Sequence, residues 1–283
     1  MGAHVAVVGA TGGQGGAVVS ALRRDGHTVR ALVRNPGSPR AESLAEAGVE
    51  LIRGDLTDGA SLRRAFTGVD AAFAVTTPFE RGTAAEVAQG REIVDAAVAT
   101  RLPHLVLSSV ASADRPTGVP HFESKYVTER YLAEQNPPAT IVAPAYFYDN
   151  LLGDADGLRA GRLRLPLPPD RPLQQTARED LGALVAAVIA DREAHLGGRI
   201  EVASDAPTPA RMARTLGETL GVDVRFEQTP LEQVRAGSAD MGAMWDFLNG
   251  EGYRVDIPSL HAAYPGIAWT SFSDWAAGLV PAR

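Results

Sequence analysis

Short apolar runs alternate with longer amphipathic stretches through the first half of the chain. The apolar runs lie at residues 4–8, 28–33, 49–53, 70–75, 104–107 and 139–143. Between them, apolar residues recur at helical spacing, as at Ile93, Ala97 and Val98 in the stretch 82–100. Strands that alternate with helices at this pace predict an α/β fold with a Rossmann-type, doubly wound parallel sheet. Such sheets bind ligands at the carboxyl ends of their strands.

The pattern changes after residue 150. Leu163, Leu165 and Leu167 alternate as in an edge strand, and the stretch 178–192 has the pattern of an amphipathic helix. Short predicted strands at 199–203 and 222–226 flank a predicted helix at 209–220. We therefore predict a Rossmann domain over residues 1–150. A smaller C-terminal α/β lobe, residues 151–283, is expected to lie over the binding edge, with parts of it able to return to the sheet.

A glycine-rich turn joins the first predicted strand to the first helix. Residues 9–15 read Gly-Ala-Thr-Gly-Gly-Gln-Gly. Gly9 permits a tight turn, Gly12 lets the backbone approach a ligand, and Gly15 lets the helix pack close to the strand. Free N–H groups at the helix start suit a pyrophosphate, although a purely structural turn is the alternative. The candidate cofactor contacts here are Gly9, Thr11, Gly12, Gly13, Gln14 and Gly15.

The second predicted strand ends in an arginine, where the adenosine ribose of a dinucleotide is expected. No acidic residue lies between Thr28 and Arg40, whereas an NAD site usually has Asp or Glu there. Arg34 instead suits the 2′-phosphate of NADP(H), which we predict as the cofactor. The alternative is a solvated surface arginine.

Further candidate cofactor contacts follow the later strands. They are Asp55, Leu56, Thr76, Thr77, Pro78, Ser108, Ser109, Pro144, Tyr146 and Phe147. Asp55 is suited to accept a hydrogen bond from adenine, but a turn or helix cap explains an aspartate there almost as well. The threonine hydroxyls can equally cap the turn that follows them.

His121 and Lys125 stand at the start of the helix predicted after the fifth strand. Four residues apart on a helix, they share one face near the binding edge. Lys125 is the only lysine among the 27 Lys and Arg residues, and a compact ammonium can bond both ribose hydroxyls of a cofactor. We predict Lys125 as a cofactor contact and catalytic residue, and His121 as a proton donor. A solvated lysine and a satisfied histidine are the alternatives.

Aromatic residues cluster after the sixth predicted strand, where residues 144–150 read Pro-Ala-Tyr-Phe-Tyr-Asp-Asn. Aromatic side chains at a strand end can form the floor of a substrate pocket, but packing in the core is at least as good an explanation. The predicted pocket residues are Phe79, His121, Tyr146, Tyr148, Asn150 and Trp245.

Composition narrows the functional classes. The 283 residues include no cysteine, which excludes disulfides and thiol catalysis, and six scattered histidines, so no metal site is predicted. The formal net charge of −7 disfavours nucleic acid as a partner. No apolar run approaches the roughly 18 residues of a membrane span, and no leader is evident. We expect a cytoplasmic protein with a small-molecule substrate and no membrane partner. The sequence is compatible with a homodimer but does not determine the oligomeric state.

Together, several segments resemble the NmrA-like, or HSCARG-like, branch of the atypical short-chain dehydrogenase/reductases. The matching segments are 9–15, 31–36, 54–56, 121–125, 144–150 and 200–205. The resemblance implies an NADP-binding Rossmann domain with a small C-terminal lobe. It also implies one of two functions, since members are reductases of quinones, enones, imines or dyes, or regulators that sense the cofactor.

One departure from the wider superfamily limits what the resemblance implies. Most short-chain reductases use Tyr-x-x-x-Lys with a helping serine or threonine, whereas here His121 replaces the tyrosine and Val110 holds the place of the hydroxyl. Reduction of an activated acceptor is therefore favoured over alcohol oxidation. The leading hypothesis is an NADPH-dependent reductase of a small quinone, enone or imine. The alternatives are an NADP(H)-sensing regulator that acts through a partner and, third, a redox-assisted isomerase.

Overall fold

The structure, a computed structural model, describes residues 2–279. Its strands are β1 (His4–Val8), β2 (Thr28–Val33), β3 (Glu50–Arg53), β4 (Ala71–Val75), β5 (Leu105–Ser108), β6 (Ala139–Pro144), β7 (Tyr146–Phe147), β8 (Arg162–Leu165), β9 (Gln175–Thr176), β10 (Arg199–Val202) and β11 (Arg225–Gln228). The helices of the first half are α1 (Gly13–Arg24), α2 (Pro39–Glu46), α3 (Gly59–Phe66), α4 (Gly82–Thr100) and α5 (Pro120–Gln135).

A 3₁₀ helix over Tyr148–Asp154 opens the second half of the chain. It is followed by the helices α6 (Ala155–Arg159), α7 (Arg178–Ala190), α8 (Arg192–His195), α9 (Pro209–Leu220), α10 (Leu231–Gly237), α11 (Ala239–Asn249), α12 (Ile257–Ala263) and α13 (Phe272–Ala277). Within residues 2–279, no helix combines the length and the apolar character that crossing a membrane requires.

In the part of the chain that the structure describes, seven parallel strands form the central sheet, in the order β10-β6-β5-β4-β1-β2-β3. Six of them follow the Rossmann order, which confirms the predicted α/β fold. Because all seven run in the same direction, the segments that follow β1, β2, β4, β5 and β6 emerge at one edge of the sheet. That edge carries the candidate site.

Helices cover both faces of the sheet, which explains why its strands are apolar runs rather than alternating ones. Four of the five residues of β1 are buried. Leu22 of α1 and Leu184 of α7 belong to the core on one face. Ile93 of α4 and Leu132 of α5 belong to the core on the other face.

The second half of the chain divides between this sandwich and a separate core. β10 pairs with β6, and α7 packs along α1, where a Cβ on Gly182 would lie 2.6 Å from the Ala17 carbonyl oxygen. Only glycine permits so close an approach. The other segments form a second core around Leu163, Met212 and Trp245, which also includes Phe122. Since Phe122 lies at the start of α5, this second core adjoins the carboxyl edge of the sheet.

Candidate active site

The glycine-rich turn has the geometry of an anion site. Gly9 has a φ of +80°, and its carbonyl oxygen accepts the N–H of Gly12 at 2.9 Å. A Cβ on Gly15 would collide with that same carbonyl group, so glycine is needed for the helix to start so close to the strand. No side chain caps α1 at Gly12. The N–H groups of its first turn therefore remain free to bind an anion.

Arginines reach this turn from two distant helices. Arg40 of α2 donates from Nη1 to the carbonyl oxygen of Thr11 at 3.1 Å. The guanidinium group of Arg178, on α7, packs against the backbone of Gly13. Its Nη1 also forms an ion pair with Oδ1 of Asp149 at 3.0 Å. Sequence reasoning missed both arginines as members of this site, because no local pattern marks a side chain that reaches the loop from elsewhere in the fold.

Arg34 follows β2 and binds Glu80 through two hydrogen bonds, of 2.7 and 3.0 Å. These bonds raise the pKa of the Arg34 guanidinium above its usual value. More than half of each side chain is exposed, 64% for Arg34 and 52% for Glu80. Such an exposed pair contributes only about 0–1 kcal/mol, so Arg34 can exchange Glu80 for a better anion.

Asp55 adopts the turn geometry that sequence analysis gave as its alternative. Its Oδ1 accepts the hydroxyl of Thr57 at 2.7 Å and the Thr57 N–H at 2.9 Å, and these bonds lower the pKa of the carboxyl group. Asp58, not Asp55, caps α3, by accepting the N–H groups of Ala60 and Ser61. Asp55 still lies at the carboxyl edge near Arg34, whose positive charge also lowers the pKa of the Asp55 carboxyl group.

Lys125 is held by a buried carboxylate that sequence reasoning missed. Its Nζ lies 2.9 Å from Oε1 of Glu86 and donates to the Thr76 carbonyl oxygen at 2.6 Å. Glu86, on α4, is completely buried and also accepts the hydroxyls of Thr76 at 3.0 Å and Ser124 at 2.5 Å. The cluster ties the segment after β4 to the first two turns of α5. Lys125 is therefore neither a solvated lysine nor free to move.

His121 is fixed by Asp240 on α11, the second partner that sequence reasoning missed. The carboxylate lies 2.8 and 2.9 Å from Nδ1 of the ring and accepts the backbone N–H of His121 at 3.1 Å. Nε2 has no hydrogen-bond partner among residues 2–279. The ring of Phe79, which is 71% exposed, lies 5.6 Å from the imidazole. The structure thus brings together Phe79 and His121, two of the predicted pocket residues.

Further aromatic rings extend this surface into the second core. Tyr146 contacts Trp245, with ring centres 5.6 Å apart, and Tyr253 stacks on Phe122 at 6.1 Å. Burial raises the pKa values of the Tyr146 and Tyr253 hydroxyls, so both remain protonated donors. Tyr253 was missed in the sequence because it stands alone in an irregular stretch, 251–255.

Two predicted site residues need correction. Tyr148 is fully buried between Phe272 and Trp275, and its hydroxyl donates to the Thr270 carbonyl oxygen at 3.1 Å, so it is a core residue rather than part of the pocket surface. Ser109 is buried too, and its hydroxyl donates to Glu129, which also pairs with Arg199. Ser108 donates to Gln14 of α1 at 2.7 Å instead. Successive side chains point to opposite sides of an extended chain, which separates the two serines.

The remaining predicted contacts lie at or near the same edge of the sheet. Thr77 and Asn150 are exposed, Leu56 is half-buried, and Pro78 and Pro144 are buried. Phe147 packs against the core that α1 and α7 cover, and Trp245 is only 5% exposed. Their roles in binding remain predictions.

Comparison with known proteins identifies the family of the chain. A model of the NmrA-like family matches residues 1–275. The chain belongs to the NmrA-like family. The match covers nearly the whole chain and confirms the resemblance that the motifs indicated.

Individual relatives and structures resemble the chain to different extents. It is 35% identical over 162 residues to the NmrA-like family domain-containing oxidoreductase FrzB of Cladobotryum sp, a match that covers 53% of this chain and only 48% of FrzB. It is 30% identical over 234 residues to the (4-alkanoyl-5-oxo-2,5-dihydrofuran-3-yl)methyl phosphate reductase of Streptomyces griseus, covering 82% of this chain and 79% of that protein.

Two solved structures share the fold of this chain. The Escherichia coli NADPH-dependent quinone oxidoreductase QOR2, complexed with NADPH, is 25% identical, with a TM-score of 0.82 and coverage of 97% of this chain and 99% of that one. NmrA, a negative transcriptional regulator, in complex with NADP, is 21% identical, with a TM-score of 0.82 and coverage of 99% and 95%. At that identity, NmrA shows the fold alone.

Proposed function

We propose that the protein is an NADP(H)-dependent oxidoreductase that reduces a small, planar electrophilic acceptor, a quinone, enone or imine. The observation that carries the proposal is the His121–Asp240 pair, which presents an unpartnered imidazole nitrogen beside Phe79, one helical turn from Lys125. A proton donor of this kind serves a reductase, whereas cofactor binding alone does not need one. The reductase name of the Streptomyces griseus relative and that of QOR2 support the same class.

The residues at the sheet edge fit a dinucleotide phosphate. The free N–H groups of α1 suit a pyrophosphate, and Arg34 suits a 2′-phosphate. Lys125, held by Glu86 beside the carboxyl end of β4, suits ribose hydroxyls when it exchanges one of its two hydrogen bonds to Thr76 for them. When bound, reduced nicotinamide supplies hydride, so the protein needs to place the acceptor and supply a proton.

His121 holds its proton in a defined place. Because Nδ1–H donates to Asp240, a neutral ring has Nε2 as an acceptor. Nε2 can therefore give a proton to the reduced acceptor only from the doubly protonated ring, whose charge the Asp240 carboxylate balances. Sequence analysis alone did not define this tautomer, because Asp240 lies 119 residues away.

Aromatic surfaces suit a planar acceptor. The exposed ring of Phe79 stands beside His121, while Tyr146 and Tyr253 lie against Trp245 and Phe122. Flat, rigid rings bury large area with little loss of conformational freedom, and the tyrosine hydroxyls can donate to a carbonyl or imine group.

Consumption of NADPH with a panel of quinones, enones and imines tests the function. We expect saturable turnover with at least one acceptor class, and no turnover with simple secondary alcohols and NADP. Substrate-dependent loss of absorbance at the nicotinamide band measures it. A protein that binds NADPH but reduces no member of the panel would contradict the reductase proposal.

A cofactor-sensing regulator is the second candidate, and one observation favours it. Val110 holds the place of the helping hydroxyl, and the neighbouring hydroxyl of Ser109 donates to Glu129, which pairs with Arg199. No tyrosine precedes Lys125 by four residues, so the usual Ser-Tyr-Lys set is incomplete. A regulator of this kind would bind NADP and NADPH with sharply different affinities and would show no turnover.

Cofactor choice gives a prediction for Arg34. NADPH should bind more tightly than NADH, and Arg34→Ala should remove most of that preference, since charge-assisted bonds to phosphate contribute roughly 1.5–3 kcal/mol. Arg24→Ala is a matched control, because both arginines have 64% of the side chain exposed and an acidic partner. Calorimetry with both cofactors measures the effect. Equal affinity of the unmodified protein for NADPH and NADH would disprove the assignment.

A further inference from the structure

The guanidinium group of Arg178 lies directly on the backbone of the glycine-rich turn. A Cβ on Gly13 would lie 2.5 Å from Cζ and 2.6 Å from Nε of this arginine. The contact follows from the packing of α7 along α1, because Gly182 touches Ala17 four residues further along each helix. The first turns of both helices therefore meet at the carboxyl edge of the sheet, where Arg178 is 36% exposed.

The surroundings of Arg178 favour a further anion beside its guanidinium group. A cation at the start of a helix is opposed by the helix dipole, and here two helix starts converge on one guanidinium. Asp149 is the acidic residue paired with it, through Nη1 at 3.0 Å. Asp180 in the first turn of α7 is used elsewhere, since its carboxylate accepts the N–H and hydroxyl of Thr270 at 2.9 and 2.7 Å. Nε and Nη2 of Arg178 have no protein partner within residues 2–279.

We propose that Arg178 is a cofactor-binding residue that contacts the pyrophosphate, and that Asp149 is a positioning residue that holds the guanidinium over the turn. The proposal rests on the cofactor site of the proposed function. The planar fork of arginine matches phosphate oxygens through parallel N–H bonds, and the free Nε and Nη2 edge supplies such a pair. Together with the N–H groups of α1, Arg178 then encloses the anion from a second side.

Calorimetric titration with NADPH and NADH tests the contact. Arg178→Ala should weaken binding of both cofactors by about 10- to 100-fold, the range for hydrogen bonds to charged groups. The ratio of the two affinities should not change, because both cofactors contain the pyrophosphate, whereas Arg34→Ala changes that ratio. Arg178→Lys keeps the charge and much of the aliphatic side chain, so its cofactor affinity should lie between those of the unmodified protein and Arg178→Ala. This variant provides the test if Arg178→Ala does not fold. Arg24→Ala is the exposed-arginine control.

A double-mutant cycle with Asp149→Asn separates a direct contact from a structural role. If Arg178 touches the pyrophosphate, Arg178→Ala still weakens NADPH binding by about fivefold or more when residue 149 is already asparagine. If Arg178 only anchors the 3₁₀ helix through Asp149, its replacement has no effect in that background, and the proposal is overturned. An unchanged affinity of the single Arg178→Ala variant also overturns it. An unmodified protein that binds neither cofactor would instead refute the cofactor site itself.

Discussion

Glu86→Gln is expected to lower the free energy of unfolding by about 3–5 kcal/mol, the cost of leaving a buried charge without its partner. Glu86 is fully buried, and the Lys125 side chain is only 11% exposed, so water cannot replace the lost carboxylate charge. Glutamine still offers an acceptor to Thr76 and Ser124, which confines the change mainly to charge. Denaturant unfolding in the absence of cofactor measures the effect.

A second replacement separates stability from binding in the same cluster. Glu86→Gln combined with Lys125→Met removes both charges and should recover most of the lost stability. The double variant should nevertheless bind NADPH about tenfold or more weakly, because it lacks the ammonium that we propose bonds the ribose. Glu123→Gln, an exposed change of the same charge on α5, is the control. A Glu86→Gln protein within about 0.5 kcal/mol of the unmodified one would show that the pair is not the anchor of Lys125.

His121→Phe should lower the turnover number about 10²- to 10⁴-fold, the usual contribution of a general acid, while NADPH affinity stays nearly unchanged. Phenylalanine keeps a flat ring between Phe79 and Phe122, which lie 5.6 and 4.8 Å from the imidazole, so the pocket should hold its shape. Steady-state kinetics on the best acceptor and calorimetry with NADPH measure the two quantities. Lys125→Ala should differ by raising the apparent Michaelis constant for NADPH.

The proton-donor role of His121 can also be tested at Asp240, with an exposed aspartate as the matched control. Asp240→Asn keeps an oxygen acceptor for Nδ1 but removes the charge that balances the doubly protonated ring, so turnover should fall about tenfold or more. Asp170→Asn, an exposed change of the same kind, should leave turnover unaffected. Unchanged turnover in His121→Phe would mean that catalysis rests on orientation of the acceptor and that His121 is a residue of the helix start.

The fold was predictable because its determinants are local. Each strand of the sheet is a short apolar run, and each helix carries its own spacing, so the α/β order can be seen within about ten to twenty residues at a time. The positions of β10 and α7 in the fold were difficult to predict. Their segments are recognisable as strand and helix, but membership in the main sheet depends on the space left beside β6 and α1. That space exists only after the first half has folded.

The candidate site residues also divide into those that local sequence predicts and those that depend on packing. The glycine turn and the His121–Lys125 pair are visible because residues a few positions apart on one turn or helix must be neighbours. Tyr146 and Tyr148 look alike in the sequence, yet one lies against Trp245 beside the site and the other is sealed in the core. The start of the 3₁₀ helix at Tyr148 decides this difference.

By itself, the sequence determined the sheet, the glycine-rich turn and the helix that carries His121 and Lys125, since short-range geometry specifies each of them. Only the tertiary structure decided what holds those residues. Glu86 reaches Lys125 from α4, Asp240 reaches His121 from α11, and Arg178 reaches Gly13 from α7. These charged side chains make contacts across 39, 119 and 165 residues. A buried charge needs a partner, but no pattern along the chain records which one the packing will supply.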